Sequence, residues 1–163
     1  MKKMIPLLKP FSFLPALAMM YIIYSFSAQP GADSGQLSFE ISYDIVEIKD
    51  QILETGYSQD VLVQQAYGIH YYVRKAAHIT EFFLLAVAVS FPLYVYGIRG
   101  IWLILLALFI CAAYAGLDEY HQSFSYGRGA TIVDVGIDCI GILLGVLLVQ
   151  AFNWSVLHQP HRR

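Results

Sequence analysis

Long apolar runs alternate with shorter polar connections along this chain. The apolar runs cover residues 11–26, 76–96, 101–117 and 132–152. A helix needs about 20 apolar residues to cross the hydrocarbon core of a bilayer, and each run approaches or reaches that length. The pattern therefore predicts an all-α fold, a membrane-embedded bundle of four transmembrane helices that forms one domain over residues 1–163.

The connection between the first two runs, residues 27–73, is polar but has a helical pattern of its own. Ile41, Ile45, Ile48 and Ile52 recur at steps of three or four residues, which is the spacing of an amphipathic helix. We expect this helix to lie on the membrane surface or to cap the bundle.

Two serines in this connection are candidate helix N-caps. Ser38 precedes the isoleucine-rich pattern, and Ser58 precedes a second, short helix that leads toward Ile69. Gly68 leaves the end of the second helix open. Residues 27–73 are therefore expected to form a partly helical loop.

Two features inside the apolar runs bear on helix shape and packing. Pro92 predicts a kink near the end of the second run, because proline lacks the backbone N–H that a helix interior uses. Gly141 and Gly145 are four residues apart, a spacing that lets helix backbones approach closely in lipid.

The composition favours a membrane protein over a soluble one. The chain is 58% hydrophobic and 13% charged, with a mean hydropathy of +0.57, which lies outside the usual range for soluble domains. Four spans leave no room for a separate soluble catalytic domain. Cys111 and Cys139 lie in apolar runs without CxxC spacing, so neither a disulfide framework nor a thiolate metal site is expected.

The positions of lysine and arginine predict how the chain crosses the membrane. The basic residues near the span ends on one side are Lys2, Lys3, Lys9, Arg99, Arg162 and Arg163. The connection 27–73 is acidic over most of its length. Both termini are therefore predicted to be cytoplasmic and the connection extracytoplasmic. The lysine-rich start is also typical of a secretory signal peptide, but Tyr21 and Tyr24 favour a retained span.

Ionisable side chains concentrate where the apolar runs begin or end. The motifs are Arg74-Lys75-x-x-His78-x-x-Glu81, Asp118-Glu119-x-His121-Gln122, Gly127-Arg128 and Asp134-x-x-x-Asp138. Each such group costs about 2.5–3.5 kcal/mol to insert into a membrane unless it is paired or hydrated. In the predicted topology all four motifs lie at the outer ends of spans two to four. We expect one outward-facing polar pocket lined by Arg74, His78, Glu81, Asp118, His121, Arg128 and Asp134.

The residue types suggest a division of roles in this pocket. The candidates for acid–base chemistry are His78, Glu81, Asp118 and His121. The candidates for ligand binding are Arg74, Lys75, Glu119, Gln122, Arg128, Asp134 and Asp138. Asp118 and Glu119 lie at a helix C-terminus, where the helix dipole disfavours carboxylates, so Arg74 or Arg128 is expected to compensate them. Structural interpretations stay open, with His78 as a packing residue and Glu81 as a partner of Arg74.

Other kinds of chemistry find less support in the sequence. Histidine and carboxylate ligands for a divalent metal are present, but no HExxH or similar compact signature is, so no metal site is predicted. No serine or cysteine nucleophile stands beside a base. The sequence identifies no cofactor and predicts no nucleic-acid partner.

In their order along the chain, these motifs resemble the VanZ-like family of small multi-span membrane proteins. The resemblance covers mainly residues 25–147 and includes Ser27-x-Gln29-Pro30 after span one. Asp138 departs from it, because Asn is expected there in many members. The family is named for a protein associated with resistance to the glycopeptide teicoplanin, and its biochemical mechanism is unknown.

Three functions are compatible with the motifs and the resemblance. The first is binding of an envelope lipid or a lipid-anchored glycopeptide, with an effect on susceptibility to teicoplanin-type antibiotics. The second is a membrane enzyme that acts on a phosphate-bearing envelope lipid or cell-wall precursor. The third is a proton-coupled transporter, which is less favoured because the four spans show no internal repeat. The partner in the first two is a membrane lipid, and the oligomeric state is left open.

Overall fold

A computed structural model describes residues 9–157, and of residues 153–157 the backbone alone. A short 3-10 turn, Lys9–Phe13, leads into five α-helices. They are α1 (Leu14–Ser27), α2 (Gly31–Leu53), α3 (Gln59–Val95), α4 (Gly100–Gln122) and α5 (Ile132–Leu157). No strand occurs within the described residues, and the predicted all-α class is confirmed.

Four of these segments are long and apolar enough to cross a membrane. They are Lys9–Ser27, Gln59–Val95, Gly100–Gln122 and Ile132–Phe152, and each contains one of the apolar runs of the sequence or most of it. Large side chains such as Trp102 and Phe109 are exposed on their surfaces, as lipid-facing positions require. The chain is therefore a multi-pass membrane protein.

The second span belongs to a much longer helix than the sequence predicts. α3 has 37 residues, or about 55 Å at 1.5 Å per residue, whereas the hydrocarbon core of a bilayer is about 30 Å thick. The prediction of a separate short helix after Ser58 is wrong. Gly68 does not interrupt α3, where it lies in open space, and the helix also runs three residues past Pro92.

The first half of α3 packs against α2 and forms a helical hairpin with it. Val46 of α2 and Leu62 and Ala66 of α3 are buried at the centre of the contact. At the other end of the contact, His70 Nε2 lies 3.1 Å from the Gly35 carbonyl oxygen. Most of the predicted loop 27–73 is thus regular helix, and we call α2 with residues 59–73 of α3 the hairpin.

The start of α2 corrects one of the predicted caps. The helix begins at Gly31, directly after Pro30, whose extended backbone (ψ 148°) ends the preceding turn. Ser38 lies inside the helix, where its hydroxyl donates to the Ser34 carbonyl (2.9 Å). Ser38 is therefore not an N-cap, because proline already sets the helix start about two turns earlier. Ser58 does occupy the position before α3, without a side-chain hydrogen bond to the helix.

The tip of the hairpin is closed by a polar turn. Glu54 has a positive φ of 51° and ends α2. The Asp50 carboxylate then accepts hydrogen bonds from the Thr55 hydroxyl (2.5 Å) and the Tyr57 backbone N–H (3.1 Å). These bonds, with the one from Thr55 the largest cause, lower the pKa of Asp50.

The four spans share one apolar core. Its buried members come from all four and are Ala16, Ile23, Phe82, Leu85, Ala86, Val89, Ala107, Cys111, Ala115, Ile142 and Val146. α3 and α5 approach most closely, because Gly141 and Gly145 lie against the backbone carbonyls of Ile79 and Phe83. A side chain at either glycine would meet backbone atoms. The close helix approach that the spacing of the two glycines predicted is therefore present.

Candidate functional site

The polar motifs converge at one end of the bundle, where α1 ends at Ser27, α4 ends at Gln122 and α5 begins at Ile132. We call this the polar end. α4 extends to Gln122 instead of ending at residue 117, so the Asp118–Gln122 motif forms its last turns. α3 passes through the same level, as the contact of Lys75 with Asp134 shows.

Two arginines from distant parts of the chain lie together at the polar end. Arg74 belongs to α3 and Arg128 to the loop of residues 123–131. Arg128 Nη2 donates to the Phe26 carbonyl (3.1 Å), while its Nε is buried without a hydrogen-bond partner. Burial and then the charge of Arg74 lower the pKa of Arg128, although a guanidinium stays protonated at physiological pH. Among residues 9–157, neither guanidinium lies within 4.0 Å of a carboxylate oxygen.

Backbone contacts fix the loop that carries Arg128. The Gly31 N–H donates to the Tyr126 carbonyl (2.9 Å), and the Ser125 hydroxyl donates to the Ser27 carbonyl (3.1 Å). Gly127 has a φ of 75°, which favours glycine. A Cβ on Gly31 would lie 2.5 Å from the Gly127 carbonyl oxygen. The loop thus sits directly on the start of α2, and both glycines are required for that approach.

The two carboxylates at the end of α4 are held by neutral donors. The buried Asp118 accepts from the Ser27 hydroxyl (2.8 Å) and from Gln122 Nε2 (2.8 Å). The buried Glu119 accepts from the Thr131 backbone N–H (2.5 Å). Neither Arg74 nor Arg128 pairs directly with these carboxylates, because closer hydrogen-bond donors on α1, α4 and the loop hold them. The expected compensation acts at longer range, since the charges of Asp118 and Glu119 stabilise the Arg128 guanidinium.

Two further acids lie beside basic side chains of α3. Lys75 Nζ lies 2.6 Å from Asp134 Oδ1. One turn deeper, His78 Nδ1 lies 3.6 Å from Asp138 Oδ1, and Asp138 is 1% exposed. The carboxylate that departs from the expected family pattern is thus the partner of the histidine. Glu81 shares the helix face of Arg74 and His78, about 10 Å deeper than Arg74.

Two adjoining clefts open between these side chains. The first, which we call the arginine cleft, is lined on its polar side by Arg74, His78, Glu81 and Arg128 and on its apolar side by Phe26, Leu37, Ile41, Val73 and Ala77. It contains about 690 Å³ of space, part of it open to solvent. The second shares Arg74, His78 and Arg128 and adds Tyr71, Lys75, Gln122, Gly127, Gly129 and Asp134. The clefts join at a surface with two guanidiniums and one imidazole.

The structure places some candidate residues away from both clefts. His121 stacks on Tyr24 of α1, with ring centroids 4.5 Å apart, and its Nδ1 is buried without a hydrogen-bond partner. Asp118, Glu119 and Asp138 are buried behind the cleft walls. The expected single pocket therefore resolves into two clefts, lined by Arg74, Lys75, His78, Glu81, Gln122, Arg128 and Asp134, with the hydrogen-bonded Asp118 and Glu119 and the His78-facing Asp138 buried outside them.

The sequence analysis missed the contribution of α2 to this site. Ser34, Leu37, Ser38 and Ile41 form one wall of the arginine cleft, although the pattern of α2 predicted only an amphipathic helix. Ser27 was noted as part of the resemblance but not as a partner of a buried carboxylate. Pro30 was the sequence signal for both features, because a helix that starts directly after it brings α2 and the end of α1 close together.

The side chains do not form a metal site in their described arrangement. Among residues 9–157, no group of three or more His, Cys, Asp or Glu side chains has the geometry to hold a metal ion. The acids that face histidine or lysine do so in pairs.

Comparison with known proteins is consistent with the motifs. No curated protein and no solved structure matches the chain. The family model described as VanZ/LLP1 matches residues 12–153, which include the hairpin, both clefts and all of the four spans except the first three residues of span one. The chain therefore belongs to the VanZ/LLP1 family.

Proposed function

We propose that this protein binds the anionic headgroup of a membrane amphiphile in the arginine cleft. The observation that carries the proposal is the charge arrangement at the polar end. Arg74 and Arg128 line one cleft without a carboxylate in contact, while Asp118, Glu119, Asp134 and Asp138 each face another partner. Glu81 lines the same cleft, but the two guanidiniums still leave a net positive charge there for a ligand.

The physical argument rests on the mutual repulsion of two guanidiniums. Two like charges near each other and partly withdrawn from water raise the free energy of the folded protein. A phosphate or carboxylate between them relieves the repulsion and accepts paired hydrogen bonds from each planar fork. The buried Nε of Arg128, which has no protein partner, is one donor that such an anion would satisfy.

The opposite wall of the cleft favours an amphiphile over a free anion. Phe26, Leu37, Ile41 and Val73 place apolar surface beside the guanidiniums. About 210 Å³ of this cleft admits water-sized molecules, which is less than the about 300–1,000 Å³ of sites that enclose a whole ligand, so the cleft suits a headgroup whose chains stay outside. An envelope lipid with a phosphate headgroup, or a lipid-anchored glycopeptide with a carboxylate, has both kinds of surface. The family resemblance supports reduced susceptibility to teicoplanin-type antibiotics as the consequence of binding.

Lipid-resolved mass spectrometry of the purified protein tests the binding. The wild type should copurify with one class of anionic amphiphile enriched over the bulk membrane, and Arg74→Gln/Arg128→Gln should lose it. Arg99→Gln is the matched control, because it removes an arginine from the turn between α3 and α4 at the opposite end of the bundle. Equal lipid profiles in all three proteins would refute the proposal.

Teicoplanin susceptibility tests the consequence in cells. At equal membrane levels, the wild type and Arg99→Gln should lower susceptibility, whereas the double arginine variant should behave like cells without the protein. If all four strains are equally susceptible, the resistance role is wrong for this protein, whatever the lipid profiles show.

The His78–Asp138 pair supports enzyme activity as a second candidate function. His78 lines both clefts beside the two arginines, and a carboxylate 3.6 Å from its Nδ1 would orient the ring for acid–base work on a bound phosphate ester. Gln in place of His78 keeps hydrogen bonding but cannot exchange a proton in this way. If His78→Gln retains the lipid and the resistance phenotype, the protein is a binder; loss of the phenotype with the lipid still bound favours the enzyme.

A further inference from the structure

One face of α2, beside the face that packs on α3, carries a regular seam. Its residues are Ser34, Ser38, Ile41, Ile45, Ile48 and Ile52, at steps of four, three, four, three and four. Steps that alternate between three and four are the a and d positions of a heptad repeat, the pattern of coiled-coil seams. We call these six residues the seam.

The apolar part of the seam has no partner within the described chain. Ile41, Ile45, Ile48 and Ile52 are 44%, 46%, 55% and 74% exposed. The side of α2 that packs on α3 is a different one and buries Ser42 and Val46. Four isoleucines in a row are unusual for a surface facing water, because each exposed side chain forgoes burial free energy.

The position of the hairpin leaves the seam accessible to another copy of the chain. Leu62 faces α2, and Phe82 faces the bundle core. The two residues are twenty positions apart on one helix, which corresponds to about 200° at 3.6 residues per turn. α3 thus lies between much of α2 and the bundle, although the first seam residues, Ser34, Ser38 and Ile41, border the arginine cleft. Ile45, Ile48 and Ile52 line neither cleft, and two hairpins can meet along this part of their seams.

The membrane determines the direction in which two seams would meet. Copies inserted in the same membrane with the same orientation are related by rotation about the membrane normal. α2 follows the long membrane-spanning helix α3, so α2 helices from two copies run parallel. In a parallel coiled coil, a g residue of one helix faces the e residue five positions later on the other helix.

The charges beside the seam fit this parallel pairing. With Ile45 and Ile52 at a and Ile41 and Ile48 at d, Asp44 takes a g position and Lys49 the e position five residues later. Asp44 is exposed, and the exposed Lys49 makes only a long contact of 3.5 Å with Gln65. Each pair of neighbouring helices would thus gain Asp44–Lys49 attraction on its flanks.

We propose that the protein self-associates through parallel packing of this seam against the seam of another copy. Isoleucine at both a and d favours three strands over two, so a trimer is the expected assembly. Confinement to one membrane with one orientation supplies the alignment that a short coiled coil in solution lacks. Of the four isoleucines, Ile41 alone also lines the arginine cleft; contact through Ile45, Ile48 and Ile52 does not depend on the function of that cleft.

Cysteine cross-linking in native membranes tests the contact. Ile48→Cys, a d position, should form an intermolecular disulfide on mild oxidation several times more efficiently than Glu40→Cys, an exposed control on the same helix. Native mass spectrometry of the full chain in lipid nanodiscs should give three copies per particle. A single copy per particle, or equal cross-linking at both positions, would overturn the proposal. So would an Ile48→Cys variant that neither cross-links nor reacts with aqueous maleimide, because lipid would then cover the seam.

Charge exchange tests the parallel register. Asp44→Lys and Lys49→Asp should each lower the Ile48→Cys cross-linking yield about two- to fivefold, and the two substitutions together should restore it. All three changes are on exposed side chains, so loss of folding is not a competing explanation. If the double exchange is no better than either single one, the helices do not pair in this register.

Discussion

At the scale of single residues, the arrangement of the polar end depends on which hydrogen-bond donor contacts each acidic side chain. The sequence predicted the charged groups and their depth, because their spacing along helices is fixed by geometry. It could not predict their partners. Asp118 and Glu119 are adjacent on α4, yet Asp118 accepts from Ser27 of α1 whereas Glu119 accepts from the Thr131 backbone N–H of the loop. Which neighbouring helix each side chain meets depends on the packing of all four spans, and a single helix does not encode that.

Asp50 at the hairpin tip offers a residue-scale prediction of pH dependence. Its lowered pKa means that the carboxylate form is favoured in the folded turn. The bonds to Thr55 and Tyr57 therefore stabilise the turn at pH above the usual aspartate value near 4, and the stabilisation is lost as the pH falls through the lower folded pKa.

Replacing Thr55 with alanine should raise the pKa of Asp50 toward its usual value. The side-chain bond from Thr55 is the largest cause of the shift, so its removal leaves the weaker backbone bond from Tyr57. NMR titration of the Asp50 carboxyl carbon measures the change. Thr80→Ala, which removes a hydroxyl bonded within α3, should leave the titration as in wild type. An unchanged midpoint in Thr55→Ala would show that the threonine bond is absent in solution.

At the scale of helices, the apolar runs predicted the existence of all four spans, but the sequence did not predict how far helices continue beyond the bilayer. A transmembrane run is recognised by hydropathy, which ends where polar residues begin. The polar residues of 59–73 predicted only a short, separate helix, yet Leu62, Ala66 and Ile69 pack on α2 and the segment is continuous with the span. Tertiary contact, rather than local propensity, therefore determines the length of α3.

The contact between α3 and α5 gives an element-scale prediction. Gly141→Ala should lower the stability of the protein by about 1–3 kcal/mol, the usual cost of overpacking, because its methyl group would meet the Ile79 backbone carbonyl and force the helices apart. Gly136→Ala on the same helix is the matched control, since nothing lies within 4 Å of its added methyl group.

Thermal unfolding in detergent compares the two variants. Gly136→Ala should unfold at or above the wild-type temperature, because alanine is the better helix former. Gly141→Ala should unfold several degrees lower. Equal unfolding temperatures for the two variants would mean that α3 and α5 are farther apart than described.

At the scale of the whole molecule, the hairpin and the turn that carries Arg99 lie at opposite ends of the spans. The basic residues can therefore still be used to predict the orientation in the membrane, although Lys2, Lys3, Arg162 and Arg163 lie outside the described residues. We predict that the hairpin is extracytoplasmic and that Arg99 is cytoplasmic.

Labelling of single cysteines in intact cells determines the orientation. Asp50→Cys at the hairpin tip should react with an impermeant maleimide, and Arg99→Cys should react only after the cells are permeabilised. The wild type is the blank, because Cys111 and Cys139 lie within spans. Labelling of Arg99→Cys alone in intact cells would invert the topology and place both clefts at the cytoplasmic surface.

α3 is one continuous helix, so its membrane-spanning part and its hairpin part move together when it tilts. One helix without an internal break carries Phe82 in the core, Arg74 at the cleft and Leu62 near the hairpin tip. If a ligand that binds between the arginines tilts this helix, the displacement grows with distance along the helix axis, and the hairpin tip moves farther than the cleft wall. The coupling is reciprocal. A partner that binds the hairpin and fixes its tilt changes the affinity of the cleft for its ligand, and the ligand changes the affinity of the hairpin for that partner by the same factor.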